Sequence, residues 1–365
     1  MGDQFPRFKA AAVMASSVFL DREATTQKVC GLIAEASQAG AKLIVFSEVL
    51  IPGYPYWIWL FSPTQGAPYF VDLFKNAVEI DSPTVRKLGR AARAADAHVV
   101  VGVSEREGGT LYNTLLYFDN RGELIGRHRK LQPTHVERTI WGHGDGSDLR
   151  VFETELGKLS GLICWEHSMD LTRYALTAQG EQIHVAVWPG VSALAHDPNS
   201  KIFNAITEAA ARHHAFAGQC FVINVQAPIG TDVIEKLGLN DKPELIRAGG
   251  GWTAIVGPNG QIVAGPLTDQ EGIVYAEIDL EQIVLAKYCC DSAGHYARPD
   301  VLRLSVQFES QPVLEKARPA EVSVIPVKAQ PSQARHTEDA ATSDQNRRTS
   351  ALGERAPTLL GIPRR

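Results

Sequence analysis

Leu159-Ser160-Gly161-Leu162-Ile163-Cys164-Trp165-Glu166-His167 decides how the rest of the chain is read. The run 159–163 is apolar with one small polar break, as in a strand buried on both faces, and a polar, helix-like segment begins near Ser168. A strand that passes straight into a helix is an α/β signature, and it leaves Cys164 at the strand's end. On the N-terminal side, 150–152 and 158–163 flank Leu156-Gly157 and read as a hairpin. On the C-terminal side, a helix over 168–179 is followed by a strand over 183–188, a long helix over 199–217 and a strand over 220–225. The segments 252–256, 261–263 and 273–278 read as a closing meander around Pro258-Asn259-Gly260.

The N-terminal half repeats this grammar. A strand at 8–15 precedes a helix at 22–38, where Val29, Leu32, Ile33 and Ala36 recur at helical spacing. Gly40 closes that helix, and a strand at 42–46 delivers Ser47-Glu48 at its tip. Segment 49–62 carries Tyr54, Tyr56, Trp57 and Trp59 between prolines and reads as a loop or broken helix. A helix opens at Ser82-Pro83, a strand follows at 98–103, and 111–118 pairs with 123–129 around Asp119-Asn120-Arg121-Gly122. Strand alternation puts His128 and Lys130 on one face. Two halves with a hairpin in each predict an α/β fold with two mixed sheets face to face and helices outside.

Composition bounds the function. With 365 residues and 44% hydrophobic content the chain can build one large domain, expected over 1–310. No aromatic residue follows Phe308, and 311–365 is rich in proline, serine and charge, so a disordered C-terminal tail is expected, with 322–327 as a segment that would order by adding a strand to a partner. A net charge of -5 gives no basic field for nucleic acid, and no apolar run approaches the roughly 20 residues that cross a bilayer. The N-terminal residues resemble neither a signal peptide nor a myristoylation site, so the expected location is cytoplasmic. Five cysteines without Cys-x-x-Cys spacing fit reduced thiols rather than a disulfide framework or zinc ribbon.

Four residues at or near strand ends carry the expected chemistry: Glu48, Lys130, Glu137 and Cys164. A thiol attacks as thiolate, which a following helix N-terminus and a nearby lysine would favour. A buried carboxylate can take the thiol proton and return it to a leaving nitrogen, which assigns Glu48 as base and Lys130 as the stabiliser of developing charge, helped by the Trp165 N–H. Taken singly, each has a plainer reading: a small buried hydrophobe for Cys164, solvated charges for the others. Tyr54, His128, Trp165, His167 and Trp188 are candidate walls of the substrate pocket, with ordinary core packing as the plainer reading. Cys289, Cys290 and His295 make a poor chelate, and no metal site is expected.

Five ordered motifs add what spacing does not. Phe46-Ser47-Glu48-Val49-Leu50-Ile51-Pro52-Gly53-Tyr54-Pro55, His128-Arg129-Lys130-Leu131-Gln132-Pro133-Thr134, His135-Val136-Glu137-Arg138, Gly161-Leu162-Ile163-Cys164-Trp165-Glu166-His167 and Gly294-His295-Tyr296-Ala297-Arg298-Pro299-Asp300 closely resemble those of the nitrilase family, from about Lys9 to Val306. Gln132 departs mildly, since many relatives carry Lys or Met there. The resemblance implies an α-β-β-α sandwich and a Glu-Lys-Cys triad at Glu48, Lys130 and Cys164, with Glu137 as accessory carboxylate. It implies hydrolysis of an organic nitrile to acid and ammonia through a cysteine-linked thioimidate and thioester, with no metal or organic cofactor. It also implies a homodimer that extends into a helical homo-oligomer, a spiral filament. Amide-, carbamoyl- and cyanide-hydrolysing relatives are the enzymatic alternatives, and a non-catalytic assembly protein is the other.

Overall fold

The first third of the chain interleaves strands with helices, and its three helices each start on a capping signal. The computed structural model describes residues 2–194 and 201–310. Strand β1 (Arg7–Met14) is followed by helix α1 (Arg22–Gln38), whose first turn is capped by the Asp21 carboxylate accepting from the Ala24 N–H at 2.9 Å. Strand β2 (Ala41–Phe46) then runs parallel to β1. Helices α2 (Pro63–Asn76) and α3 (Pro83–Ala95) follow, α3 with Ser82 as N-cap and proline in its first turn. Strand β3 (His98–Glu107) is parallel to β2, and β4 (Thr110–Phe118) and β5 (Leu124–Arg129) complete an antiparallel meander.

The second half repeats the plan with β6 (Phe152–Thr154), β7 (Gly157–Ile163), α4 (Asp170–Ala178), β8 (Ile183–Trp188), α5 (Lys201–Gly218) and β9 (Phe221–Gln226). A short α6 (Thr231–Lys236), β10 (Trp252–Val256), β11 (Ile262–Thr268), β12 (Gly272–Asp279) and α7 (Glu281–Cys289) complete it. The sheets have the orders β12-β1-β2-β3-β4-β5 and β11-β10-β9-β8-β7-β6, each mixed, with three parallel strands in the middle.

Period-two alternation sorts the side chains into layers. Ala10, Ala12, Leu43, Val45 and Val100 of the first sheet share one buried cluster with Ile183, Val185, Val187, Ile223 and Val225 of the second. The alternate residues Ala11, Val13, Ile44 and Val99 pack outward on Val29 and Ile33 of α1 and Leu88 and Ala92 of α3. On the far side Ala186, Val222 and Ala254 meet Ala211 and Ala215 of α5, and Leu162 meets Ala175 and Leu176 of α4. The layers are therefore α-β-β-α, as expected, and each fully buried Val, Leu or Ile side chain contributes about 1.5–3 kcal/mol.

Several boundaries differ from the sequence reading. Strand β12 does not continue the meander; it crosses to the first sheet and pairs antiparallel with β1, from Arg7 opposite Asp279 to Met14 opposite Gly272. Helices α2, α6 and α7 were not expected; α2 contains Gly66 and Pro68, which read as breakers, yet the Ser62–Gln65 capping box and Pro63 start it. The helix expected from Ser168 begins at Asp170, because Cys164–Ser168 is a separate 3₁₀ turn. The expectations for the tail 311–365 lie outside the described residues; by itself, Met1–Pro312 is one compact unit.

Candidate active site

Sheet ends converge here. Glu48 follows β2, Lys130 follows β5, and Cys164 follows β7, while Glu137 sits not at a strand end but in a 3₁₀ turn, His135–Thr139. Gly102 in β3 permits the approach of the Glu48 segment, since a Cβ there would overlap the Ser47 carbonyl and the Glu48 backbone. Three non-glycine residues beside these side chains hold left-handed backbone: Val49 at φ 43°, His135 at 47° and Cys164 at 54°. Such residues cost on the order of 1–3 kcal/mol each and cluster where chemistry needs a fixed geometry.

Lys130 is the hub. Its Nζ donates to Glu48 Oε1 at 3.0 Å and to Glu137 Oε2 at 2.7 Å, and all three side chains are fully buried. Burial opposes the lysine's charge, but Glu137 and Glu48 more than offset it, so Lys130 is held above its ordinary range. The carboxylates differ in their partners. Glu137 is saturated: Oε2 also accepts from the Thr134 N–H at 2.7 Å, and Oε1 from the Tyr54 hydroxyl at 2.8 Å. Glu48 accepts from Asn113 Nδ2 at 2.6 Å on the oxygen that takes Lys130, and its buried Oε2 has no partner among the described residues. Burial, reinforced by Glu137, raises Glu48 to about 7 against the pull of Lys130. A free oxygen on an acid near neutrality is the equipment of a proton acceptor.

Burial likewise pushes the Cys164 thiol well above its usual range, with Glu48 and Glu137 adding to it and Lys130 and the Trp165 N–H opposing. The surroundings of Cys164 therefore favour the thiol over the thiolate. This corrects the expectation of a thiolate prepared by a helix N-terminus, because the 3₁₀ turn separates Cys164 from α4.

Cys164, Glu137 and Tyr54 line one cavity of about 330 Å³, with Trp59, Val191 and Phe203 among its mainly apolar residues. Trp165 also lines it and remains 38% exposed. Three candidate walls lie elsewhere. His128 is fully buried against Glu166, Nε2 to Oε2 at 2.9 Å. His167 and Trp188 stack on each other at 5.0 Å, and Trp188 packs edge-on against Phe203 of the cavity wall at 6.0 Å. Strand alternation correctly groups side chains by face, but face alone does not say which one a second layer covers.

Glu166, Asn113 and Phe203 have no role in the sequence reading, whereas the aromatic stretch that includes Trp59 is read there as a candidate pocket wall. Glu166 joins the cysteine turn to the lysine loop: its oxygens accept from the N–H groups of Ile163 and Leu131, each at 2.8 Å, and from His128. A carboxylate two residues after the cysteine was its only sequence signal. Lys130→Met tests the hub, because it leaves two buried carboxylates without a cation. We expect a loss of about 3–5 kcal/mol in chemical denaturation together with lost activity; unchanged stability would contradict the pairing.

The comparisons agree with this architecture. Residues 9–288 match the family model described as carbon-nitrogen hydrolase. An aliphatic nitrilase of Rhodococcus rhodochrous is 46% identical over 302 residues, 82% of either chain. A nitrilase of Bacillus sp. (strain OxB-1) is 42% identical over 326 residues, 88% of this chain and 94% of that one. The crystal structure of a carbon-nitrogen hydrolase from Helicobacter pylori G27 superposes with a TM-score of 0.64 at 22% identity, covering 78% of this chain and 92% of that one, which bears on the fold alone. The chain belongs to the carbon-nitrogen hydrolase family and, within it, stands with the nitrilases.

Proposed function

We propose that the protein hydrolyses an organic nitrile to the carboxylic acid and ammonia, with Cys164 as nucleophile, Glu48 as proton carrier, Lys130 as electrostatic stabiliser and Glu137 as the carboxylate that fixes Lys130. What supports the reading is the buried cluster in which Lys130 bonds both Glu48 and Glu137 while Glu137 and Cys164 line one apolar cavity, with Glu48 keeping one buried oxygen without a partner among the described residues. The thiol proton passes to Glu48 as sulfur adds to the nitrile carbon, and Glu48 returns it to nitrogen, giving a thioimidate. Water adds to that carbon with its proton taken by Glu48, the nitrogen leaves as ammonia, and a thioester remains. A second water, activated in the same way, releases the acid and restores the thiol. Lys130 and the Trp165 N–H are the donors for the charge that develops at each addition.

The apolar lining favours a substrate with a hydrocarbon group, which hydrogen cyanide lacks. Ammonia release measured on a panel of aliphatic nitriles, aromatic nitriles, amides, carbamoyl compounds and cyanide tests the assignment. We expect turnover of organic nitriles with acid as the main product. Turnover confined to amides or carbamoyl compounds would contradict it.

Assembly and location belong to the same proposal. The α4 and α5 surface exposes Leu171, Tyr174 and Phe216 at 70%, 37% and 59%, beside a cavity of about 730 Å³ that Tyr296 and Leu302 also line. This apolar face supports a homodimer that extends into a helical assembly. Leu171→Asp is expected to lower the particle mass in light scattering; an unchanged mass would rule out this face. The five free thiols suit a reducing, cytoplasmic setting, and among the described residues no helix is long and apolar enough to cross a membrane.

A further inference from the structure

Behind the cysteine turn lies a buried hydrogen-bonded chain that the mechanism above does not use. His167 Nδ1 is 2.8 Å from the Cys164 carbonyl oxygen, His167 Nε2 is 3.0 Å from His184 Nε2, and His184 Nδ1 is 2.9 Å from Glu181 Oε2. Glu181 also accepts from His214 Nε2 at 2.6 Å, from Thr177 Oγ1 at 3.4 Å and from the Ser160 hydroxyl. All four titratable side chains are buried.

The protons in this chain can be counted. A carbonyl and a carboxylate close its two ends, and both only accept. Its three bonds therefore need three protons, whereas two neutral imidazoles carry two. Without the third, two lone pairs face each other at about 3 Å in a dry site, a buried unmade hydrogen bond. Burial and His214 push His184 down to about 4 and so oppose a full imidazolium there. Sharing one proton along His167, His184 and Glu181, opposite the carboxylate charge, satisfies all three bonds with no net charge on the chain. Glu181, His184 and His214 also have the composition of a cation site. Yet His214 Nε2 stands 2.6 Å from Glu181 Oε1, closer than the roughly 3.3 Å between two donors on a tetrahedral ion.

We propose that Glu181, acting through His184 and His167, is a positioning residue that holds the Cys164 backbone in its left-handed turn by a chain carrying one shared proton. The proposal rests on Cys164 being the nucleophile. His167 fixes the carbonyl of a residue whose φ of 54° is otherwise disfavoured. The Glu181 end anchors to β7 through Ser160, to α4 through Thr177 and to α5 through His214, so the turn is tied to the outer helix layer.

The test uses the full-length enzyme and the nitrile it hydrolyses fastest. His167→Phe keeps an aromatic ring against Trp188 but removes the N–H to Cys164; kcat should fall on the order of 10²-fold, the scale of an ångström's misplacement, with KM little changed. His167→Asn, whose amide can supply that N–H, should recover about tenfold of the loss. Glu181→Gln can donate to His184 and still accept from His214, completing the chain with two neutral imidazoles, so its kcat should stay within about threefold of wild type, whereas Glu181→Leu should fall with His167→Phe. A downfield imidazole proton resonance should be present in wild type and lost in Glu181→Gln. Unchanged kcat in His167→Phe would overturn the proposal. So would a Glu181→Gln loss as deep as that of Glu181→Leu, and if wild type then holds stoichiometric zinc, the cluster is a metal site. If His167→Phe does not fold, the Glu181→Gln and Glu181→Leu pair decides alone. Mass spectrometry of substrate-labelled wild type separates this from failure of the nucleophile reading: label away from Cys164 overturns both, and label on Cys164 with unchanged variant kinetics overturns only the chain.

Discussion

Cys164→Ala is expected to lower nitrile turnover by on the order of 10⁵–10⁶-fold while leaving the protein folded, the scale seen when a covalent nucleophile is removed. The fold should survive because the substitution deletes one buried sulfur and leaves the backbone demand unchanged. Alanine meets the same steric penalty at φ 54° that cysteine already bears. The small cavity left behind costs about 1 kcal/mol, well within the stability of a domain of this size. Circular dichroism and steady-state ammonia release check the two halves of the prediction together. Activity close to wild type in this variant would end the assignment of Cys164 as nucleophile.

Glu48→Gln is expected to be nearly as severe, at least on the order of 10²–10⁴-fold, because it removes the proton acceptor and leaves the shape in place. The glutamine carbonyl can occupy the Oε1 position and keep the bonds from Asn113 and Lys130, while its amide nitrogen replaces the oxygen that has no partner among the described residues. The loss is therefore a loss of chemistry rather than packing. The pH profile carries the same information. Glu48 must be ionised to take the thiol proton, and its value of about 7 means that acidification below neutrality protonates it. In wild type, kcat/KM should rise with pH through about 7, and that limb should vanish from the residual activity of Glu48→Gln. An unchanged limb in the variant would assign it to another group.

The parts legible in the sequence were those written in local pattern. The runs that became β1 to β5 and β7 to β10 are largely apolar or alternate, and Ser82 with Pro83 marks where α3 begins. Partner choice between sheets is not local. Nothing in residues 272–279 distinguishes a third meander strand from one that crosses to pair with β1, so β12 was misassigned. Helix α2 forms although it contains Gly66 and Pro68, residues disfavoured inside helices, and Gly66 lies against the Trp57 indole.

At the site, motif resemblance named Glu48, Lys130, Glu137 and Cys164, and the folded chain brings the first three within hydrogen-bonding distance and lines one cavity with the last two. The hydrogen bonds that distinguish the two carboxylates were not legible. Which carboxylate is saturated depends on Tyr54, Thr134 and Asn113, residues far apart in sequence whose donors meet only after folding. His128, His167 and Trp188 were expected around the substrate and instead form the layer behind it. Glu166, two residues after Cys164, is spent on two backbone N–H groups and a histidine, a role that only the loop geometry defines.

The central claim is covalent chemistry at one sulfur, and acid quenching of the enzyme during turnover of a nitrile, followed by peptide mass spectrometry, tests it most directly. The peptide containing Cys164 should carry the mass of the substrate's thioimidate or acyl group, and Cys30, Cys220, Cys289 and Cys290 should remain unmodified. Acid and ammonia released at full rate with no adduct on Cys164, or with the adduct on another residue, would contradict the account.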